Sequence, residues 1–115
     1  IINLSSLAGL ALSLLAGMAY SSAKAAVINF TEFLNTEYQN TGIRASVVIP
    51  GEVATPIMDK RPVVPDSTAR STMVTAEHTA EAIALIARLP QQTTIPKLVI
   101  RPTYLRDYSA ELGTM

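Results

Sequence analysis

Ser5-Ser6-Leu7-Ala8-Gly9 … Tyr20-Ser21-Ser22-Ala23-Lys24 joins an apolar opening, Ile1-Ile2-Asn3-Leu4, to a long run with helical periodicity. On a helix Tyr20 and Lys24 share one face, about 6 Å apart along the axis. An ammonium beside a phenol favours the phenolate, which makes Tyr20 a candidate acid or base near neutral pH. A serine hydroxyl delivered from the end of the preceding strand can hold the oxygen that gains or loses the proton. A serine of the Ser5-Ser6 pair, Tyr20 and Lys24 therefore form a candidate catalytic set.

Working outward, Ile1 to Leu4 reads as a strand buried on both faces, ended by Ser5-Ser6. Leu7 to Gly17 is apolar but carries Gly9 and Gly17 as breakers, so a buried or cleft-lining loop is expected. The spacing of Ala26, Val27, Phe30, Phe33 and Leu34 predicts a helix from Met18 to about Gln39, stopped by Thr41-Gly42. Ile43 to Ile49 is rich in β-branched residues and predicts a second buried strand, ended by Pro50-Gly51. Pro56, Pro62 and Pro65 exclude a long helix over Glu52 to Met73, which reads as an exposed loop with one helical turn near Ile57 and Met58. A loop of that length usually has a task, such as a lid. Thr75 as N-cap predicts a second helix, ending near Arg88-Leu89-Pro90. Lys97 to Arg101 is a third short strand, and Pro102 to Met115 shows no clear pattern. The order β-α-β-α-β predicts an α/β fold with a parallel sheet and right-handed crossovers.

In such a sheet, ligands bind outside the carboxyl ends of the strands. Ser6 lies past the first strand, Tyr20 and Lys24 lie on the opening turns of the helix that starts at that edge, and Pro50 to Thr55 lies past the second strand. In Pro50-Gly51-Glu52-Val53-Ala54-Thr55, Pro50 and Gly51 turn the backbone, and glycine permits close approach of a ligand. Main-chain groups around Val53 can pair with a carboxamide, and the Thr55 hydroxyl can reach a phosphate or amide.

Asn3-x-Ser5-Ser6, Tyr20-x-x-x-Lys24 and Pro50-Gly51-x-Val53-x-Thr55, in this order and at these intervals, resemble the motifs of the short-chain dehydrogenase/reductase family. A lone Y-x-x-x-K is weak, but the three together are specific and cover about the first half of the chain. The resemblance implies the C-terminal half of a Rossmann-like, doubly wound parallel sheet, with NAD or NADP as cofactor. It implies that Tyr20 exchanges a proton with a small alcohol or ketone, and that Lys24 supports Tyr20 and bonds the nicotinamide ribose. Ser6 steadies the substrate oxygen, because the family places the catalytic serine directly before an x-x-Gly, here Leu7-Ala8-Gly9. Tyr20, Lys24, Pro50, Gly51, Val53 and Thr55 become the cofactor contacts, and a homodimer or homotetramer in the cytoplasm is expected. The family's glycine-rich phosphate loop, its NAD-or-NADP selector and the asparagine of its catalytic tetrad are missing from the sequence. Residues 1–115 are thus expected to be the C-terminal part of one domain, neither folding well nor binding a dinucleotide alone.

Composition narrows the alternatives. The 115 residues are 49% hydrophobic and 16% charged, which implies surface buried against something else. Zero net charge and no basic run argue against a nucleic-acid partner. The absence of cysteine and a single histidine leave no obvious metal set, and no Ser-His-Asp relay. The uncharged residues 1–23 lack the basic leader of a signal peptide, and polar and glycine residues interrupt them, so no membrane segment is expected. The plain structural readings are a half-buried Tyr20, a solvated Lys24, local bonding by Ser5-Ser6 and turn punctuation by Pro50-Gly51. His78 reads as a solvated residue without a role, and Glu52, Asp59, Lys60 and Arg61 as a wet loop. Leu10, Leu12, Leu14, Leu15, Ile57 and Met58 line a substrate pocket or serve as core or subunit contact. Besides an oxidoreductase, two function classes stand: a catalytically silent interaction module, and a nucleotide-sugar epimerase or dehydratase. Pro50-Gly51-x-Val53-x-Thr55 and the short tail speak against the last.

Overall fold

The computed structural model describes residues 1–113. Three parallel strands form one sheet in the order β1-β2-β3: β1 is Ile2–Leu4, β2 is Ser46–Pro50 and β3 is Lys97–Ile100. The central strand supplies the core. Val47, Val48 and Ile49 are fully buried, each contributing roughly 1.5–3 kcal/mol on transfer from water. The parallel α/β arrangement agrees with the order read from the sequence.

Two long helices flank the sheet, α2 over Met18–Glu37 and α4 over Ala76–Arg88. They lie on opposite faces. Asn3 bonds Thr31 of α2 at 3.0 Å, Lys97 pairs with Glu32 of α2 at 2.6 Å, and Ile28 packs with Val47 and Ile49. By strand alternation these sheet residues share one face. Ile86 and Ala87 of α4 instead border a cavity with Ile2 and Ser46, which belong to the other face. Since both crossovers advance in the same direction across the sheet, they have opposite hands. The expected right-handed connection therefore fails at one of them. The right hand is a preference of strand twist and helix hand, and residues 51–75 are long enough to carry the chain to the other face of the sheet.

Elements depart from expectation where side chains take over backbone duties. The second strand begins at Ser46 rather than Ile43, because Asn35 holds both backbone groups of Ala45, at 2.9 and 2.7 Å. Arg44, just before it, donates to the carbonyls of Leu89, Pro90 and Thr93 past the end of α4, a favourable site for a cation. Gly42 takes the left-handed conformation expected of it, with φ of 90°. His78 has a role after all: its Nδ1 accepts the Thr75 N–H while the Thr75 hydroxyl accepts the His78 N–H, closing a capping box. The face predicted for α2 divides. Val27 packs on the core, but Phe30 and Phe33 are 57% and 60% exposed, because Ile28 and Thr31 meet the sheet instead.

Three further short elements were hidden in segments read as loop or tail. Residues Leu7–Leu10 form α1, Ser67–Ser71 form α3 and Ser109–Leu112 form α5, with a 3-10 turn at Pro56–Lys60 where one helical turn was expected. Ser6 starts α1 and Asp66 starts α3, each accepting an N–H with its side chain. Among the described residues, no helix is long and apolar enough to cross a membrane.

Candidate active site

Ser6 follows the end of β1, Tyr20 and Lys24 lie on the opening turns of α2, and Pro50 to Thr55 run from the end of β2. Past β1, Ser5 is buried and its hydroxyl donates to the Lys24 carbonyl at 2.7 Å. Ser6 is extended, and its hydroxyl accepts the Ala8 N–H at 3.2 Å. This cap leaves the Ser6 O–H hydrogen free to be donated elsewhere. Gly9 does not break the chain, as its residue type suggested, but sits inside α1, where α1 presses on α2. A Cβ there would stand 2.5 Å from the Lys24 carbonyl carbon and 2.7 Å from the Ala25 nitrogen. Ser5 and Gly9 thus fix the strand end and α1 against the very turn of α2 that carries Lys24.

Gly17, with φ of 83°, delivers the chain into α2 in a conformation that other residues resist. Tyr20 follows in the first turn and is 43% exposed. Lys24, one turn on, is half-buried, and its ammonium lies 5.6 Å from the centre of the Tyr20 ring. The two therefore share a face, in a cation-π arrangement. Ser6 joins this pair through the α1–α2 contact rather than by a direct bond to either.

On the β2 side, Pro50 closes the strand and the Gly51 N–H donates to the Ile100 carbonyl at 2.7 Å. Gly51 is closely packed, though against side-chain atoms that can give way. A Cβ there would stand 2.9 Å from Leu7 Cδ1 and 3.1 Å from Arg101 Cβ. Val53 pairs with Val74 in a parallel bridge that uses the Glu52 carbonyl and the Ala54 N–H, at 3.0 and 2.8 Å. By alternation, the N–H and C=O of Val53 itself are directed away from Val74. Thr55 accepts the Met58 N–H with its carbonyl at 3.0 Å, and its side chain makes no capping bond.

Glu52 and Arg61 are not wet. Arg106 grips the buried Glu52 carboxylate with two N–H groups, Nε to Oε2 at 2.9 Å and Nη2 to Oε1 at 2.6 Å. The same Nη2 donates to Glu111 at 3.0 Å, while Arg61 lies 3.5 Å from Glu111 and 4.0 Å from Glu52. Tyr108 covers the Arg106 guanidinium at 5.1 Å. The bonds from Glu52 hold the Arg106 proton more tightly than usual, and burial, followed by the Glu52 charge, pushes the Tyr108 phenol up. No sequence pattern announces this cluster, because its members stand up to 59 positions apart, from Glu52 to Glu111. Asp59 and Lys60 are exposed as expected, Asp59 meeting Arg70 at 2.5 Å.

The apolar residues proposed for a pocket divide as well. Met58 is buried, whereas Leu10, Leu12, Leu14 and Ile57 are exposed, Leu12 at 99% and Leu14 at 75%.

Comparison with known proteins places this arrangement. A family model described as short chain dehydrogenase matches residues 1–63. Protein FixR of Bradyrhizobium diazoefficiens is 37% identical over 70 residues, which cover 61% of this chain and 23% of FixR. A Xanthobacter autotrophicus protein named inactive 2-(S)-hydroxypropyl-CoM dehydrogenase 2 is 41% identical over 61 residues, 53% of this chain and 26% of its own. The closed form of a serine dehydrogenase complexed with NADP+ matches with a TM-score of 0.75 at 27% identity, over 93% of this chain and 47% of that one. The matched stretches thus make up about a quarter of these two relatives and about half of the solved chain. The matched residues 1–63 hold Ser6, Tyr20, Lys24 and Pro50 to Thr55, and they make up more than half of the sequence. This chain belongs to the short-chain dehydrogenase family.

Proposed function

We propose that this chain is the catalytic part of an NAD- or NADP-dependent oxidoreductase acting on a small alcohol or ketone, completed by an upstream nucleotide-binding half. The observation that carries the reading is the anchoring of the Tyr20–Lys24 turn to the end of β1, through the Ser5 bond to the Lys24 carbonyl and the Gly9 contact. On its nicotinamide side a dinucleotide would meet the N–H and C=O that Val53 turns away from its bridge partner, just past the end of β2. When bound, the dinucleotide accepts or supplies hydride at the nicotinamide ring.

The chain's own residues do the rest. Tyr20 takes the hydroxyl proton of the alcohol, or returns it to the ketone oxygen, at its phenolic oxygen. Ser6 donates its hydroxyl hydrogen to that same substrate oxygen and so orients it. Lys24 bonds the ribose and keeps a cation on the Tyr20 face. Val53 holds the carboxamide through its main chain, with Pro50 and Gly51 shaping the turn and Thr55 offering a hydroxyl. The exposed line Ala19, Ala23, Ala26, Phe30 and Phe33 along α2 is the face through which copies associate as a dimer or tetramer. The cytoplasm, where nicotinamide dinucleotides turn over, is the proposed setting.

A silent relative is the second reading, favoured by the likeness to a protein named inactive. Replacing Tyr20 by Phe in the polypeptide with its upstream half separates the two. Under the first reading, turnover of alcohols with NAD+ or NADP+ falls at least a hundredfold, while dinucleotide affinity stays within about threefold. Under the second, the parent binds but turns over nothing, and the variant matches it.

A further inference from the structure

Glu52 sits inside the segment whose main chain faces the proposed cofactor, one residue before Val53. Its side chain is 4% exposed, and that of Glu111 is 3% exposed. Two carboxylates and two guanidiniums, from Glu52, Arg61, Arg106 and Glu111, sum to no net charge. Three separate parts of the chain meet there: the turn after β2, the end of the 3-10 turn, and the C-terminal segment. A planar guanidinium bonded through two parallel N–H groups fixes direction as well as distance, which a flexible ammonium does not. Buried ion pairs of this kind add little net stability, so their effect is better sought in geometry.

We propose that Arg106 is a positioning residue for the main chain of Val53. The proposal rests on the oxidoreductase reading above and extends it to the C-terminal segment. The Arg106 guanidinium is spent on Glu52 and Glu111. It fixes Glu52 from one side while the Val53–Val74 bridge fixes the other, so the N–H and C=O of Val53 are presented at one set position and angle. Arg61 carries the same constraint to Pro56–Lys60, so the 3-10 turn and the cofactor-facing turn move as one body with the tail.

The test uses the polypeptide with its upstream half and compares two probes, NAD(P)+ and the matching ADP-ribose, which lacks nicotinamide. Arg106→Met is paired with the double variant Arg106→Met/Glu52→Gln, in which no uncompensated charge is left on Glu52. Arg106→Lys asks whether charge alone suffices. A positioning role predicts that all three variants bind NAD(P)+ about tenfold or more weakly, yet bind ADP-ribose within twofold of the parent. The double variant regains melting temperature without regaining NAD(P)+ affinity, and amide exchange speeds up over residues 51–58. The proposal is overturned if folded variants bind NAD(P)+ as the parent does, or if both probes weaken equally. A parent that binds neither dinucleotide removes the oxidoreductase reading and this proposal together. A parent that binds, with variants that also bind, removes this proposal alone.

Discussion

Gly9 lies against the Lys24 backbone with no room for a methyl group, since a Cβ would stand 2.5 Å from the Lys24 carbonyl carbon. The atom in the way is backbone, so no side-chain rotation can relieve the clash. Gly9→Ala must instead push α1 away from α2. We expect a loss of roughly 1–3 kcal/mol in urea unfolding. Because Ser6 starts α1, turnover should fall by more than stability alone explains. A Gly9→Ala variant as stable and active as the parent would remove the packing argument.

The Ser5 hydroxyl has the complementary task, holding the Lys24 carbonyl at 2.7 Å. Ser5→Ala leaves that bond unmade and costs about 1 kcal/mol in chemical unfolding. The expected kinetic signature is a lower kcat with a nearly constant KM for substrate, since the buried Ser5 hydroxyl is spent on the Lys24 carbonyl beneath the Tyr20–Lys24 turn. A raised substrate KM at constant kcat would instead make Ser5 a binding group.

Phe30 and Phe33 stand exposed on α2 and call for a covering surface. Phe30→Glu/Phe33→Glu should shift the assembled protein toward monomer in sedimentation at micromolar concentration. Retention of the parent's mass would show that association, if any, uses another face.

The tail should hold over a bounded pH range. Ser109 donates its N–H and O–H to Asp107, at 2.9 Å each, which lowers the Asp107 carboxyl. That contribution is present above the ordinary aspartate value, about 3.9, and is lost as pH falls through the lower folded value. Tyr108 is raised by burial and by Glu52, against the opposing charges of Arg106 and Arg61. Its contribution is intact below the ordinary tyrosine value, about 10, and is lost as pH climbs through the higher folded value. Proteolytic cutting within residues 102–113 should therefore rise at both extremes. Tyr108→Phe should remove only the alkaline limb.

Local patterns made much of this protein legible in its sequence. The α2 and α4 helices, the three strands and their parallel order follow from periodicity, from Thr75 as a cap and from the Pro50-Gly51 stop. The Tyr20–Lys24 pair was legible because helical spacing alone places the two on one face. What stayed hidden depends on partners distant in sequence. Glu52 looks solvated until Arg106 arrives from the tail, and Gly9 looks like a breaker until α2 lies against it. His78 looks idle until the helix start supplies the Thr75 N–H. The hand of a crossover is likewise not written in any one segment. It emerges from which face of the sheet each helix covers.

That exchange of faces has an architectural consequence. With α2 on one side of the sheet and α4 on the other, residues 51–75 form a bridge from the carboxyl end of β2 to the start of α4. The bridge is anchored at its near abutment by Glu52 and Val53 and at its far one by Val74 and Thr75. Between those abutments Met58 is buried and Arg61 pairs with Glu52 and Glu111, so the span is pinned at its middle as well. The segment leaving β2 is therefore a braced arch rather than a free loop, and a change in its length would be felt at the Arg61 pairs as well as at its ends.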